Sequence, residues 1–255
     1  MKNPLRLLLA AGLLAVLVPP SIWAADVRVL AINPMRGPLS SLADSFGRDT
    51  GHRVEILFGT PNDLIKRLAG GETADVVVFT RTEFEGVMKT GKVVEGSRVE
   101  VGRVGVAVMV RAGAATPDVS TPDALKKALL DADSIAFNQR ASGTIFAGVL
   151  ERLGIAAEVK GKTKRPEADA GVFEHVRTGK GKDLGILSVA AIMGDGGKTV
   201  RMVGPLPGKL QTYEPYVVGL TTGARSPEAA KAFIAFLTSP QTKAILAKRG
   251  VEQAR

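Results

Sequence analysis

The stretch SIAFNQRASGTIFAGVLERLG, Ser134–Gly154, decides how this chain is read. Ile135, Ala136 and Phe137 make a short apolar run suited to a strand. Asn138 to Gly143 supply turn chemistry. Ile145, Phe146, Val149, Leu150 and Leu153 then recur at helical spacing until Gly154, a residue suited to closing a helix. The unit is strand, polar loop, helix. Its loop empties into a helix N-terminus, where the first backbone N–H groups lack intrahelical partners and the macrodipole is positive, so a nearby anion is favoured by about 0.3–1 kcal/mol. Arg140, Ser142 and Thr144 add side-chain donors. An ordinary strand-to-helix connection with a Ser or Thr cap has the same pattern; repetition elsewhere in the chain favours binding.

Two upstream stretches repeat the unit. Val27, Val29 and Ala31 alternate toward Ile32, the loop Asn33–Pro38 follows with Arg36 as its cation, and Leu39, Leu42, Ala43 and Phe46 share one helical face up to Gly51. Val54, Ile56 and Phe58 alternate in turn, and Gly59–Asp63 lead into a helix carrying Leu64, Ile65 and Leu68. Ala74–Phe79 is the continuous apolar run of a strand covered on both faces by helices, with Thr80, Arg81 and Thr82 at its carboxyl end. Ligands of open α/β sheets bind outside the carboxyl ends of strands, where helix N-termini also point. Arg36, Arg81 and Arg140 all fall at such ends, and three guanidinium groups so placed favour a small anion.

Downstream, Leu184–Val189 reads as another strand with Ser188 at its carboxyl end, and Val172, Phe173 and Val176 as a helix. Val99–Val110 is a long extended segment interrupted by Gly102 and Gly105, a place to leave one domain for another, and Tyr213–Leu220 is a second extended crossing. Ser226-Pro227-Glu228 and Ser239-Pro240-Gln241 each open a helix with a cap and a proline, and their apolar faces would complete a core begun early in the chain. Roughly 230 mature residues suit two domains. The reading assigns 26–104 with 217–255 to a discontinuous first domain and 105–216 to a second, both α/β because strands alternate with helices.

Met1–Ala25, with Lys2 and Arg6 before the apolar run Leu7–Val18 and small residues Ala24 and Ala25 at its end, reads as a cleaved secretory signal. The chain has no cysteine, so disulfides, thiolate metal sites and cysteine nucleophiles are excluded. A formal charge of +9 suits an anionic ligand. The basic residues are scattered and aromatics make up only 5%, which argues against nucleic acid. The strong signatures of zinc proteases, serine hydrolases and P-loop enzymes are absent. His52 reads as a surface residue away from the cleft, and Asp63 and Glu83 lie near helix starts, where capping accounts for a carboxylate. His175 could act as a base only on a helix facing the cleft. Tyr213 and Tyr216 flank the second crossing, either as packing or as ligand hydroxyls; Tyr213 is taken into the candidate site.

Three segments, Leu68–Phe79 (LAGGETADVVVF), Ser134–Phe146 (SIAFNQRASGTIF) and Ser226–Gly250 (SPEAAKAFIAFLTSPQTKAILAKRG), resemble in order and spacing the periplasmic solute-binding proteins of ABC transporters, specifically the molybdate-binding type. The resemblance implies the type II binding-protein fold: two α/β domains joined by two crossing strands, with an anion held in the cleft between them. It implies a monomer in the periplasm that needs no cofactor and delivers a small anionic ligand to an ABC permease. Ligand contacts would come from Asn33, Met35, Arg36 and Gly37, from Gly59 and Thr60, from Ala141, Ser142, Gly143 and Thr144, and from Ser188. Molybdate binders usually present small hydroxyl residues in the first two of these loops. Here Asn33, Pro34, Met35 and Arg36 stand instead, and an arginine fork matches carboxylates as well as oxyanions, so an organic polycarboxylate stands beside molybdate. Periplasmic aconitate isomerases resemble the same branch. On that alternative Arg36, Arg81 and Arg140 would hold carboxylates while a base moved a proton, with Glu83, Tyr213 and His175 as candidates.

Overall fold

The computed structural model describes residues 25–195 and 197–253, so the expected signal segment lies outside it apart from Ala25. Along the chain, β1 (Asp26–Ile32) leads to α1 (Arg36–Thr50), β2 (Arg53–Gly59) to α2 (Pro61–Ala69), and β3 (Val76–Thr80) to α3 (Arg81–Met88). β4 (Val99–Val104) stops at Gly105. Beyond it come β5 (Val106–Arg111), α4 (Pro122–Asp131), β6 (Ser134–Phe137), α5 (Ala141–Arg152), α6 (Ala156–Val159) and β7 (Thr163–Lys164). The series continues with α7 (Asp169–Thr178), β8 (Asp183–Ser188), α8 (Val189–Gly194) and β9 (Val200–Pro205). β10 (Glu214–Leu220), α9 (Pro227–Leu237) and α10 (Lys243–Ala247) complete it.

The strands form two five-stranded mixed sheets, β2-β1-β3-β10-β4 and β7-β6-β8-β5-β9, surrounded by helices. They have one plan. In each, three parallel strands are followed by an antiparallel one, β10 or β5, and that strand is the one arriving from the other half of the molecule. The long segment expected over Val99–Val110 is thus two strands in different sheets, parted at Gly105. The second crossing joins the first sheet at Glu214, and Glu214, Pro215 and Tyr216 pair there with β4. Gln211 ties the two crossings together: its side-chain Nε2 donates to the Val106 carbonyl and its Oε1 accepts from the Val106 N–H, both at 2.9 Å. A Cβ on Gly105 would lie 2.9 Å from that Nε2, so glycine leaves room for the clasp.

Packing follows the sequence pattern. β3 is buried at every residue, as an apolar strand between helix layers should be. Phe46 on α1 meets Phe233 and Phe236 on α9 at ring distances of 5.1 and 5.4 Å, so the late helix completes the early core. In the second half Phe137 and Phe146 pack edge to face at 5.0 Å, fixing α5 on β6. α8 crosses the divide, because Ala190 belongs to the first core.

Two local expectations are corrected. Asn33–Pro38 is no loop: Pro34 pre-sets a helical φ, Asn33–Met35 form a 3-10 turn, and α1 begins at Arg36. Nor do Ser226 and Ser239 cap their helices through their side chains. The buried Asp75 accepts instead from the N–H groups of Arg225 and Ser226, at 2.6 and 2.9 Å, while its other oxygen takes the Arg28 N–H at 2.7 Å.

Candidate functional site between the sheets

The carboxyl ends of β1, β3, β6 and β8 converge on one small cavity of about 50 Å³, to which Ile32, Thr80, Asn138 and Ser188 all contribute. A second cavity of about 270 Å³ adjoins it, sharing Pro34, Pro61, Arg140 and Asp169 with the first and adding Asn33, Arg36, Gly59 and Thr60. Both draw on the two halves of the molecule. The common topology of the sheets produces this arrangement, since every parallel strand delivers its helix start to the same crevice.

The helix starts are built in two ways. Thr80 caps α3: its Oγ accepts from the Glu83 N–H at 3.2 Å and donates to the Glu83 carboxyl at 2.8 Å. Thr60 and Asp63 repeat this box at α2 with bonds of 3.3 and 2.6 Å. At α5 the cap lies further upstream. The buried Asn138 accepts through Oδ1 from the N–H groups of Arg140 and Gly143, at 3.1 and 3.0 Å, and from the Ser142 hydroxyl at 3.3 Å. Its Nδ2 donates to Asp169 at 2.6 Å. A Cβ on Gly143 would overlap the Asn138 carbonyl, so only glycine lets the loop close over the helix. Two of the amides that the sequence offered to an anion are therefore already used, and Arg140 keeps its guanidinium for the cavity.

Two carboxyls, those of Glu83 and Asp169, line the inner cavity. Burial raises Glu83 above the ordinary range, opposed by its bonds to Thr80 and by Arg140. Burial likewise raises Asp169, opposed by Asn138 and Arg140. Glu214 is raised by burial and then by the nearby Glu83, and its Oε1 is buried without a hydrogen-bond partner. Tyr216, 3% exposed, reaches the same cavity, and after burial Glu83, Asp169 and Glu214 are what push its hydroxyl up.

Of the residues singled out from the sequence, Arg140, Ala141, Ser142 and Ser188 line the inner cavity, and Asn33, Arg36, Gly59 and Thr60 the outer one. Arg36 stacks over Phe58 at 4.4 Å and donates to Asn33 at 3.2 Å. Met35 points into the first core and is fully buried, because the 3-10 turn rotates it inward, and Gly37 lies within α1. Gly143 is taken up by Asn138, and Thr144 is exposed one position further along α5. Arg81 is paired with Glu100 on β4 and lines neither cavity. Tyr213 lies behind the crossings, its ring under the Arg103 guanidinium at 4.3 Å; the tyrosine in the cavity is Tyr216. His175 bonds Ser134 at 2.6 Å near Asp183, at the opposite ends of β6 and β8, which removes it as a base in the cleft. His52 accepts from the Ala25 N–H at 3.1 Å, away from the cavities.

Asn138, Asp169 and Glu214 were not singled out, and Tyr216 was weighed beside Tyr213 but left out of the candidate site. Glu214 and Tyr216 stand two apart on a strand and so share a face, a signal the sequence did hold. Asp169 is the acid in the first turn of α7 and looks there like dipole compensation. Among the described residues no group of three His, Cys, Asp or Glu is arranged to hold a metal ion.

A family model described as bacterial extracellular solute-binding protein matches residues 27–252. An aconitate isomerase of a Pseudomonas species is 28% identical over 253 residues, covering 96% of this chain and 95% of that protein. The molybdate-binding protein ModA of Azotobacter vinelandii is 30% identical over 247 residues, covering 95% of this chain and 94% of its own. The structure of the periplasmic molybdate-binding protein of Azotobacter vinelandii superposes with a TM-score of 0.71 at 20% identity, over 90% of this chain and all of that one, a likeness of fold.

Proposed function

The chain belongs to the bacterial extracellular solute-binding protein family, and on that premise we propose that it captures a small carboxylate-bearing anion in the crevice between its sheets. In this reading the halves are the two domains expected from the sequence, they close over the ligand in the periplasm, and an ABC permease receives it. The observation that carries the proposal is the convergence of Arg140, Ser142 and the start of α5 with Arg36 and Thr60 on two adjoining cavities. Charge-assisted hydrogen bonds of this kind contribute about 1.5–3 kcal/mol each. Paired arginines and carboxyl-lined walls suit a flat carboxylate better than a tetrahedral oxyanion. A thermal-shift panel with molybdate, tungstate, sulfate, citrate and both aconitates tests this. A ligand at about a hundred times its Kd adds roughly 2.7 kcal/mol, a shift of several degrees. The reading expects citrate or an aconitate to give that shift; a shift with molybdate and tungstate alone would replace the organic ligand by an oxyanion.

A second reading is favoured by Glu83. It is the one candidate base from the sequence that reaches the inner cavity, burial raises its affinity for a proton, and Tyr216 lines the same space. A cofactor-independent isomerase of a tricarboxylate would use these groups to move an allylic proton while Arg140 and Arg36 held carboxylates. Proton NMR of cis- or trans-aconitate incubated with a trace of protein decides it: appearance of the other isomer establishes turnover, and unchanged ligand leaves transport alone.

A further inference from the structure

The inner cavity has a charge problem. Glu83 reaches it from α3 and Asp169 from α7, on opposite sides of the crevice, and Arg140 is the cation lining the cavity with them. Glu214 and Tyr216 approach from β10, and Arg36 faces Asp169 across the outer cavity. Arg81, which also acts on Glu214, is already engaged by Glu100. With Glu83 and Asp169 both ionised, the space beside Arg140 would be negative before any anion arrived, in a site where little water remains to screen it. Thr80 holds the Glu83 carboxyl through its hydroxyl and its backbone N–H, and Asn138 donates one bond to Asp169, while both residues line the cavity.

Resting on the anion-binding reading above, we propose that Glu83 and Asp169 meet the bound anion as undissociated carboxyls, so that the site takes its anion together with the protons these two groups carry. Each O–H then donates to a ligand oxygen while Arg140 supplies the charge. The pair also sets ligand choice. An anion is accepted only if it offers an acceptor to both sides of the crevice, and affinity falls as pH rises and the carboxyls lose their protons. Burial of both groups, which raises their hold on a proton, is in keeping with this.

The test is isothermal titration of the mature protein with trans-aconitate and with molybdate, in buffers of different protonation enthalpy, from about pH 5 to about pH 8. The proposal expects net proton uptake that approaches two per ligand in the upper part of that range, one for each carboxyl, with an affinity loss there approaching about a hundredfold per pH unit. Glu83→Gln and Asp169→Asn keep a donor where the acid O–H stood. Each should lessen the uptake and the pH dependence by about one proton, and the double variant should lose both, whereas Glu83→Ala should bind weakly at every pH. Binding heats independent of buffer, or uptake undiminished in both amide variants, overturn it. If neither anion binds, the anion-binding reading itself fails, and the ligand-free protein decides the carboxyl claim. Wild-type Tm should fall as pH rises above the ordinary carboxylate range and flatten in the Glu83→Gln and Asp169→Asn double variant; parallel profiles overturn it.

Discussion

The starts of α3 and α5 face one crevice and satisfy their free N–H groups in opposite ways. At α3 the cap is local: Thr80 and Glu83 close on each other within one turn, and the residue that completes the box also carries a carboxyl into the cavity. At α5 the cap comes from Asn138, before the helix, which binds two backbone amides and a hydroxyl while anchoring Asp169 of α7 on the same side of the crevice. Arg140 is left free to face the ligand space. A helix N-terminus is thus not an anion site on its own account. What it offers depends on which side chain has already taken its amides, and here the second start offers a cation and the first an acid.

The comparison is broken most severely at Gly143. Gly143→Ala puts a Cβ into the Asn138 carbonyl, and overpacking of this kind costs about 1–3 kcal/mol or more. We expect a fall of several degrees in Tm and loss of ligand binding together, whereas Gly86→Ala on α3, where the added Cβ lies 3.3 Å from the Ile65 side chain, should be mild by the same measurement. Arg140→Gln should leave Tm nearly unchanged and weaken the anion by about 10- to 100-fold, the value of one charge-assisted bond, as read by titration calorimetry. Asn138→Ala removes the upstream cap and strands Asp169; a loss of about 2 kcal/mol in urea unfolding is expected, against about 1 kcal/mol for Thr80→Val at the local cap. Arg81→Ala is the smallest. Its partner Glu100 lies on the solvent side, so stability should change by no more than about 1 kcal/mol and affinity not at all.

Much of this architecture was legible in the residues. Alternating apolar positions in β1 and β2, the unbroken run of β3 and the glycine between β4 and β5 carry the two-sheet plan, because burial alone dictates those patterns. The crevice was legible for the same reason: strand carboxyl ends must gather where the topology brings them. What the residues could not reveal was allegiance. Arg36, Arg81 and Arg140 occupy equivalent places in sequence, and only the fold brings Glu100, nineteen positions away, to Arg81. Met35 looked like a loop residue until a 3-10 turn rotated it into the core. Asn138 was read as turn chemistry because its three acceptor bonds and its bond to Asp169 exist only once α5 and α7 are in place.

The most direct test of the account is a crystal structure of the mature protein with whichever anion of the panel gives the largest thermal shift. The account predicts the ligand in the inner cavity, with an oxygen within hydrogen-bond distance of the Arg140 guanidinium and others against Ser142 and the carboxyls of Glu83 and Asp169. Density confined to Arg36 and Phe58 at the outer cavity, with Arg140 turned away, would contradict it.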